Sequence, residues 1–273
     1  MSIRVCVAGA TGWTGSAVTR AVLRSERFML TGAVARQAAG QDAGVAVGSG
    51  PAGVAISATL DEALAAGADV LVDYTKPDSV KARTLTALAR GIRVVIGTSG
   101  LTATDYAEIE QAATGARLGV IAAGNFSVTA ALAKHFALIA ARYLPSWEII
   151  DYAHADKIDA PSGTARELAE ALGAVRRSEL AVPIEQTVGR KDARGAEIGG
   201  TQVHSVRLPG YVIAFEALFG LPDERLTIRH DAGAGAEPYV MGTLLAAEKV
   251  MGITGLVRGL DTLLFGPRAE GSA

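Results

Sequence analysis

Apolar positions in the first half of the chain fall in short, nearly unbroken runs rather than in strict alternation. Residues 3–7, 29–34, 69–73, 93–96 and 118–121 form such runs, separated by Ala-rich segments with helical periodicity, the first over 13–23. A run that is apolar on both faces suits a strand covered on both sides. Its alternation with helices predicts a parallel sheet with right-handed crossovers. After a long helical pattern over 127–142 the texture changes. Residues 147–152, 200–208, 211–219 and 225–230 read as longer strands joined by short turns such as Leu208-Pro209-Gly210, which predicts an antiparallel or mixed sheet. One helix, opening at Pro161-Ser162-Gly163-Thr164 and running to about Leu172, interrupts it. Residues 237–264 read as helical again, and periodicity leaves open whether they return to the first domain. The expected fold is thus α/β plus α+β. A Rossmann-like α/β domain with a parallel sheet over 1–126 precedes a mixed or antiparallel sheet domain over 127–236.

Composition narrows the function classes. Hydrophobic residues at 49% and charged residues at 20% exclude a largely disordered chain. Aromatics at 5% and a net charge of −2, from 26 basic and 28 acidic residues, give a nucleic acid neither stacking rings nor a basic face. The single cysteine, Cys6, reads as a small buried hydrophobe. No Cys/His group has metal-ligand spacing, so no metal is expected. Without a signal-like N-terminus or a membrane-length apolar stretch, the expected location is cytoplasmic, with no membrane partner. His135, His204 and His230 are taken as structural.

Gly9-Ala10-Thr11-Gly12-Trp13-Thr14-Gly15 directly follows the first strand and opens a helix. Such a turn lets the backbone approach a diphosphate and turns amide N–H groups and the helix dipole toward it. The spacing G-x-x-G-x-x-G is not the commoner G-x-G-x-x-G, so the strand-then-helix context carries the reading. About 20 residues further on, where an NAD-selective fold places an acidic residue on the ribose hydroxyl, stand Ala35 and Arg36. A guanidinium there suits a 2′-phosphate, which favours NADP(H) and leaves NAD(H) as the second possibility. Gly97-Thr98-Ser99-Gly100 and Gly124-Asn125-Phe126-Ser127 lie at the carboxyl ends of predicted strands, where open α/β sheets bind ligands. In the second half, Ser162, Gly163 and Thr164 begin a helix and offer hydroxyls and N–H groups to a carboxylate, with His154 and Lys157 just upstream.

The stretch Lys157-Ile158-Asp159-Ala160-Pro161-Ser162-Gly163-Thr164-Ala165 resembles the signature of the dihydrodipicolinate reductases. The glycine turn, Gly97-Thr98-Ser99-Gly100 and Asn125-Phe126-Ser127-Val128 are similar to that family's cofactor segments, in the same order. The resemblance covers nearly the whole chain. It implies NAD(P)H-dependent reduction of a cyclic imine dicarboxylate in lysine and diaminopimelate synthesis, by a homo-oligomer, tetramer or dimer, with 1–126 as the dinucleotide-binding domain and 127–236 as the substrate-binding and oligomerisation domain. By position it implies that Gly9, Ala10, Thr11, Gly12, Trp13, Thr14, Arg36, Gly97, Thr98, Ser99, Ala123, Gly124, Asn125 and Phe126 bind the dinucleotide. His154, Lys157, Ser162, Gly163 and Thr164 are implied to hold substrate, with Lys157 and His154 catalytic.

The substrate half departs from the family pattern. Ala153 stands where the family carries the first of two adjacent histidines, its proposed proton donor. Asp156 precedes Lys157 where a basic residue is usual, and residues 210–216 and 231–237 differ as well. Two further readings therefore stand beside the family reaction: a reductase of a less acidic imine, and a non-catalytic NADPH sensor.

Overall fold

The structure, a computed structural model, describes residues 2–266. In chain order its elements are β1 (Ile3–Ala8), α1 (Trp13–Arg24), β2 (Phe28–Val34), α2 (Ala43–Ala46), β3 (Ile56–Ser57), α3 (Leu60–Ala63), β4 (Val70–Asp73), α4 (Pro77–Ala89), β5 (Arg93–Ile96), α5 (Ala103–Ala116) and β6 (Gly119–Ala122). There follow α6 (Val128–Tyr143), β7 (Ser146–Ala153), α7 (Gly163–Gly173), β8 (Ala196–Ile198), β9 (Thr201–Arg207), β10 (Ile213–Leu221), β11 (Glu224–Ala232), α8 (Glu237–Lys249), β12 (Gly255–Arg258) and α9 (Leu260–Phe265). The chain divides into two compact units, residues 2–128 with 236–266, and residues 129–235.

The first unit is built on a seven-stranded sheet in the order β12-β6-β5-β4-β1-β2-β3, with every pair parallel. Its central strands are sealed on both faces: Val5 to Ala8, Val70 to Asp73 and Val94 to Ile96 are all buried, which is why their sequences read as continuous apolar runs. One side of the core gathers Leu71, Val94, Ile96 and Val120 against Leu88 of α4 and Ile109 of α5. Truncating one such residue to alanine costs ~2–5 kcal/mol. Cys6 lies wholly inside this core, and burial pushes its thiol up to about 12.

The end of the chain corrects the helical expectation for 237–264. After α8, residues 255–258 form β12, which pairs in parallel with β6 from Gly255↔Gly119 to Arg258↔Ala122. Four residues carry too little periodicity to announce a strand, and β12 exists because β6 presents an open edge. The short strand β3 is likewise set by its neighbour β2 and has no signal of its own.

The second unit holds a five-stranded sheet, β11-β10-β7-β9-β8, in which β7 and β9 run parallel and the other pairs antiparallel. Strand β7 alternates, with Trp147, Ile149, Asp151 and Ala153 facing inward. Helices α6 and α7 cover that face through Ala137, Leu138, Leu168 and Leu172. Strand β10 begins at Ile213, two residues later than expected, because Tyr211 leaves the ladder to stack on Tyr152 at 4.9 Å between ring centroids.

Candidate active site

The glycine turn joins the buried end of β1 to α1. Gly9 has φ +80, and a Cβ there would lie 2.5 Å from the Tyr74 carbonyl oxygen, so only glycine fits. Gly12 is the N-cap of α1 and no side chain caps the helix. The first amides and the positive end of the helix dipole therefore remain available to an anion. Trp13, the first helical residue, is 59% exposed and meets Tyr239 edge-on at 5.7 Å.

A cleft of about 770 Å³ opens beside this turn, within the size range of small-molecule sites. Its walls come from the turn (Gly9, Thr11), the end of β2 (Val34, Ala35, Arg36, Gln37), the loop after β4 (Tyr74, Thr75, Lys76) and the first turns of α4 (Asp78, Ser79, Arg83). Because β1 lies between β2 and β4 in the sheet, the turn stands between these two walls. Three cations face the cleft against one carboxylate, Asp78. Beneath it, the Oδ1 of buried Asp73 accepts from the Thr75 amide at 2.9 Å and the Thr75 hydroxyl at 2.5 Å. Its Oδ2 has no hydrogen-bond partner among the described residues. Burial raises this carboxyl above the usual range, opposed by the Thr75 hydrogen bonds.

Of the residues singled out for a dinucleotide, Gly9, Thr11 and Arg36 line the cleft. Ala10 is buried behind the turn, while Gly12, Trp13 and Thr14 continue it into α1. Gly97, Thr98 and Ser99 are not on the cleft wall; they follow β5, and Ala123, Gly124, Asn125 and Phe126 follow β6, at the carboxyl ends of neighbouring strands. Phe126 is 1% exposed and packs edge-on against Tyr74, whose hydroxyl meets Thr243 at 2.6 Å. All of Phe126 is core, its carbonyl oxygen lying against Gly242 of α8. The sequence reading missed Lys76, Ser79 and Arg83. Their signal was present in Thr75-Lys76-Pro77, where a proline opens a helix just after a strand.

In the second unit, His154 and Lys157 lie on the loop after β7, and Gly163 and Thr164 begin α7. Ser162, singled out for substrate, is turned inward. It is 1% exposed, its hydroxyl donates to Asp151 Oδ1 at 2.6 Å, and its oxygen accepts from the Ala165 amide at 3.3 Å. Both capacities of the hydroxyl are used inside the protein, which leaves the Gly163 and Thr164 end of the helix as the outward donor surface. Asp151 is the centre of that arrangement. Its Oδ2 also accepts from the Ser162 amide at 2.8 Å and from Arg207 Nη2 at 2.7 Å, and the same Nη2 reaches the Asp159 carbonyl oxygen. An acidic residue in the inward row Trp147, Ile149, Asp151, Ala153 was the available sign of a buried polar centre.

The two outward basic groups of this loop already have acidic partners. His154 Nδ1 lies 2.5 Å from Asp156, and Lys157 Nζ lies 2.6 Å from Asp159. These partners hold the Asp156 and Asp159 carboxyls below their usual range. Ala153 is wholly buried and offers no proton. His204 meets Glu148 at 2.7 Å, and burial pushes the imidazole of His230 down. Among the described residues no group of three His, Cys, Asp or Glu is placed to hold a metal ion, and no helix is long and apolar enough to cross a membrane.

Comparison with known proteins adds the family. The dihydrodipicolinate reductase N-terminal model matches residues 3–126 and the C-terminal model residues 126–264. A 4-hydroxy-tetrahydrodipicolinate reductase of Moorella thermoacetica is 43% identical over 265 residues, spanning 96% of this chain and 98% of that protein. Among solved structures, a dipicolinate-bound dihydrodipicolinate reductase from Paenisporosarcina sp. TG-14 superposes with a TM-score of 0.85 at 32% identity, covering 96% of this chain and 100% of that one. An amine dehydrogenase from Mycobacterium smegmatis, at 16% identity and a TM-score of 0.67, shares the fold.

Proposed function

The chain belongs to the dihydrodipicolinate reductase family, and we propose that it reduces 4-hydroxy-tetrahydrodipicolinate with NADPH in preference to NADH. The observation that carries the reaction is the match to both halves of the family over nearly the whole chain. Arg36 on the cleft wall supports the cofactor preference.

A reduced nicotinamide supplies the hydride when bound. The rest falls to residues of this chain. The Gly9, Ala10 and Gly12 amides donate within the turn and to Val34, so the Thr11, Trp13 and Thr14 amides, with the dipole of α1, hold the diphosphate, and Arg36 meets the 2′-phosphate. The backbone after β5 and β6, at Gly97 to Ser99 and Ala123 to Phe126, positions the nicotinamide end. The amides of Gly163 and Thr164 and the Lys157 ammonium hold a substrate carboxylate, with charge met by charge where water is excluded. Hydride addition to the electrophilic carbon of the imine system must be matched by one proton. Lys157 Nζ and the His154 imidazole are the groups in the loop that can give it. The reacting carbon and the hydride donor must come within ~3–3.5 Å. The open edge of β11, exposed along most of its length, supports assembly of a homo-oligomer through the second sheet, and the location follows as cytoplasmic.

Oxidation of NADPH, followed with freshly generated 4-hydroxy-tetrahydrodipicolinate and with NADH run beside it, tests the reading. Turnover above ~1 s⁻¹ lies in the ordinary enzyme range and is the expected result. Intact NADPH binding without turnover on this dicarboxylate overturns the substrate. It would favour a less acidic imine, in keeping with a Lys157 ammonium already paired with Asp159.

A further inference from the structure

The cleft has a second wall with chemistry of its own. Helix α4 starts at Pro77, and Ser79 and Arg83, four residues apart, share one face of it. Arg83 Nη1 donates to the Ser79 hydroxyl at 2.6 Å and to the Thr75 hydroxyl at 2.8 Å. The Thr75 hydroxyl in turn donates to Asp73, which is wholly buried at the end of β4. A chain of three side chains thus runs from the core to the guanidinium and fixes its direction. Arg83 is half-buried and lines the same cleft as Arg36, which comes from the opposite wall at the end of β2.

Most arginines of this protein that lie near a carboxylate pair with it, as Arg4 does with Asp69, Arg90 with Asp61 and Arg207 with Asp151. Among the described residues Arg36, Lys76 and Arg83 form no such pair, although they share one cleft. With Asp78 the one carboxylate on the cleft wall, these three cations leave a net positive charge, and a ligand dianion relieves their mutual repulsion. Hydroxyl anchors on one edge of the Arg83 guanidinium leave its other edge to meet phosphate oxygens in the paired geometry arginine favours.

We propose that Arg83, oriented by Thr75 and Ser79, is a second ligand of the adenosine 2′-phosphate, and that with Arg36 it sets the preference for the phosphorylated cofactor. This rests on the dinucleotide reading of the cleft.

The test is isothermal titration of the full-length protein with NADPH and NADH, and with the fragments adenosine 2′,5′-bisphosphate and 5′-AMP, which need only this cleft. Arg83→Ala is expected to weaken NADPH and the bisphosphate by about 10- to 100-fold, as loss of a charge-assisted contact does. NADH and 5′-AMP should change less than about twofold. Arg83→Lys should recover part of the loss, and Thr75→Val should reproduce part of it by freeing the guanidinium. Equal weakening of phosphorylated and unphosphorylated ligands would overturn the proposal and make Arg83 an adenine-stacking or purely structural group. So would unchanged NADPH affinity in Arg83→Ala alongside a loss in Arg36→Ala. A wild-type protein that binds neither dinucleotide would instead overturn the reading of the cleft itself. Thermal melting of each variant identifies a folding defect, in which case Arg83→Lys and Thr75→Val decide the question.

Discussion

The cleft of the first unit and the sheet end around β7 in the second treat their basic groups in opposite ways. In the first, Arg36, Lys76 and Arg83 face a common cleft and none is paired with a carboxylate among the described residues. In the second, His154, Lys157, Arg207 and Arg229 each have an acidic partner, namely Asp156, Asp159, Asp151 and the pair Glu216 and Asp231. A cleft that keeps its cations unpaired is prepared for a permanent external anion, as a phosphate is. A loop whose basic groups already have acidic partners makes an incoming carboxylate compete with Asp156 and Asp159, which weakens binding and lets the site discriminate. The two buried carboxylates differ in the same sense. Both oxygens of Asp151 are hydrogen-bonded and one faces an arginine, whereas Asp73 has one oxygen without a partner among the described residues.

The sharpest way to break this contrast is Lys157→Ala. If Lys157 acts on substrate once Asp159 releases it, turnover falls by ~10²–10⁴-fold while NADPH affinity measured by titration stays put. An unchanged rate would remove Lys157 from the chemistry. Next in size is Asp151→Ala, which strands the Arg207 guanidinium and uncaps α7 from beneath. Breaking a buried pair of this kind costs ~3–5 kcal/mol, to be read as a lower midpoint in urea unfolding. A midpoint near wild type would mean that water replaces Asp151 without penalty.

Asp159→Asn addresses competition directly. Without its carboxylate partner Lys157 is free for substrate, so KM should fall about two- to fivefold with kcat little changed. A KM that rises would show that Asp159 positions Lys157 and does not compete for it. The smallest effect concerns pH. Asp73 has a folded carboxyl raised by burial, so the folded state holds its proton to higher pH than the unfolded chain does. Stability should therefore decline as pH rises from the unfolded value of about 3.9 through the folded one, then level off. Asp73→Asn should remove that slope in unfolding measured from pH 4 to 7, and a slope that persists would assign it to other groups.

Much of this protein was readable before any coordinate. The parallel sheet follows from apolar runs that tolerate burial on both faces. The glycine turn follows from its place between a strand and a helix, and the helix start at Pro161-Ser162-Gly163-Thr164 follows from a proline and hydroxyls ahead of a helical pattern. Each depends on residues within a few positions of one another, where local sterics and hydrogen bonding act directly. Tertiary structure alone decided what long-range pairing creates. Residues 255–258 became a strand because β6 had a free edge. Asp151 and Arg207, far apart in the chain, met because β7 and β9 run side by side. Ser162 turned its hydroxyl inward once Asp151 lay beneath it, and Lys76 and Arg83 joined Arg36 in one cleft because β2 and β4 flank β1. Sequence carries the preference of each segment, but a partner distant in the chain becomes a neighbour only when burial of the shared core brings their strands together.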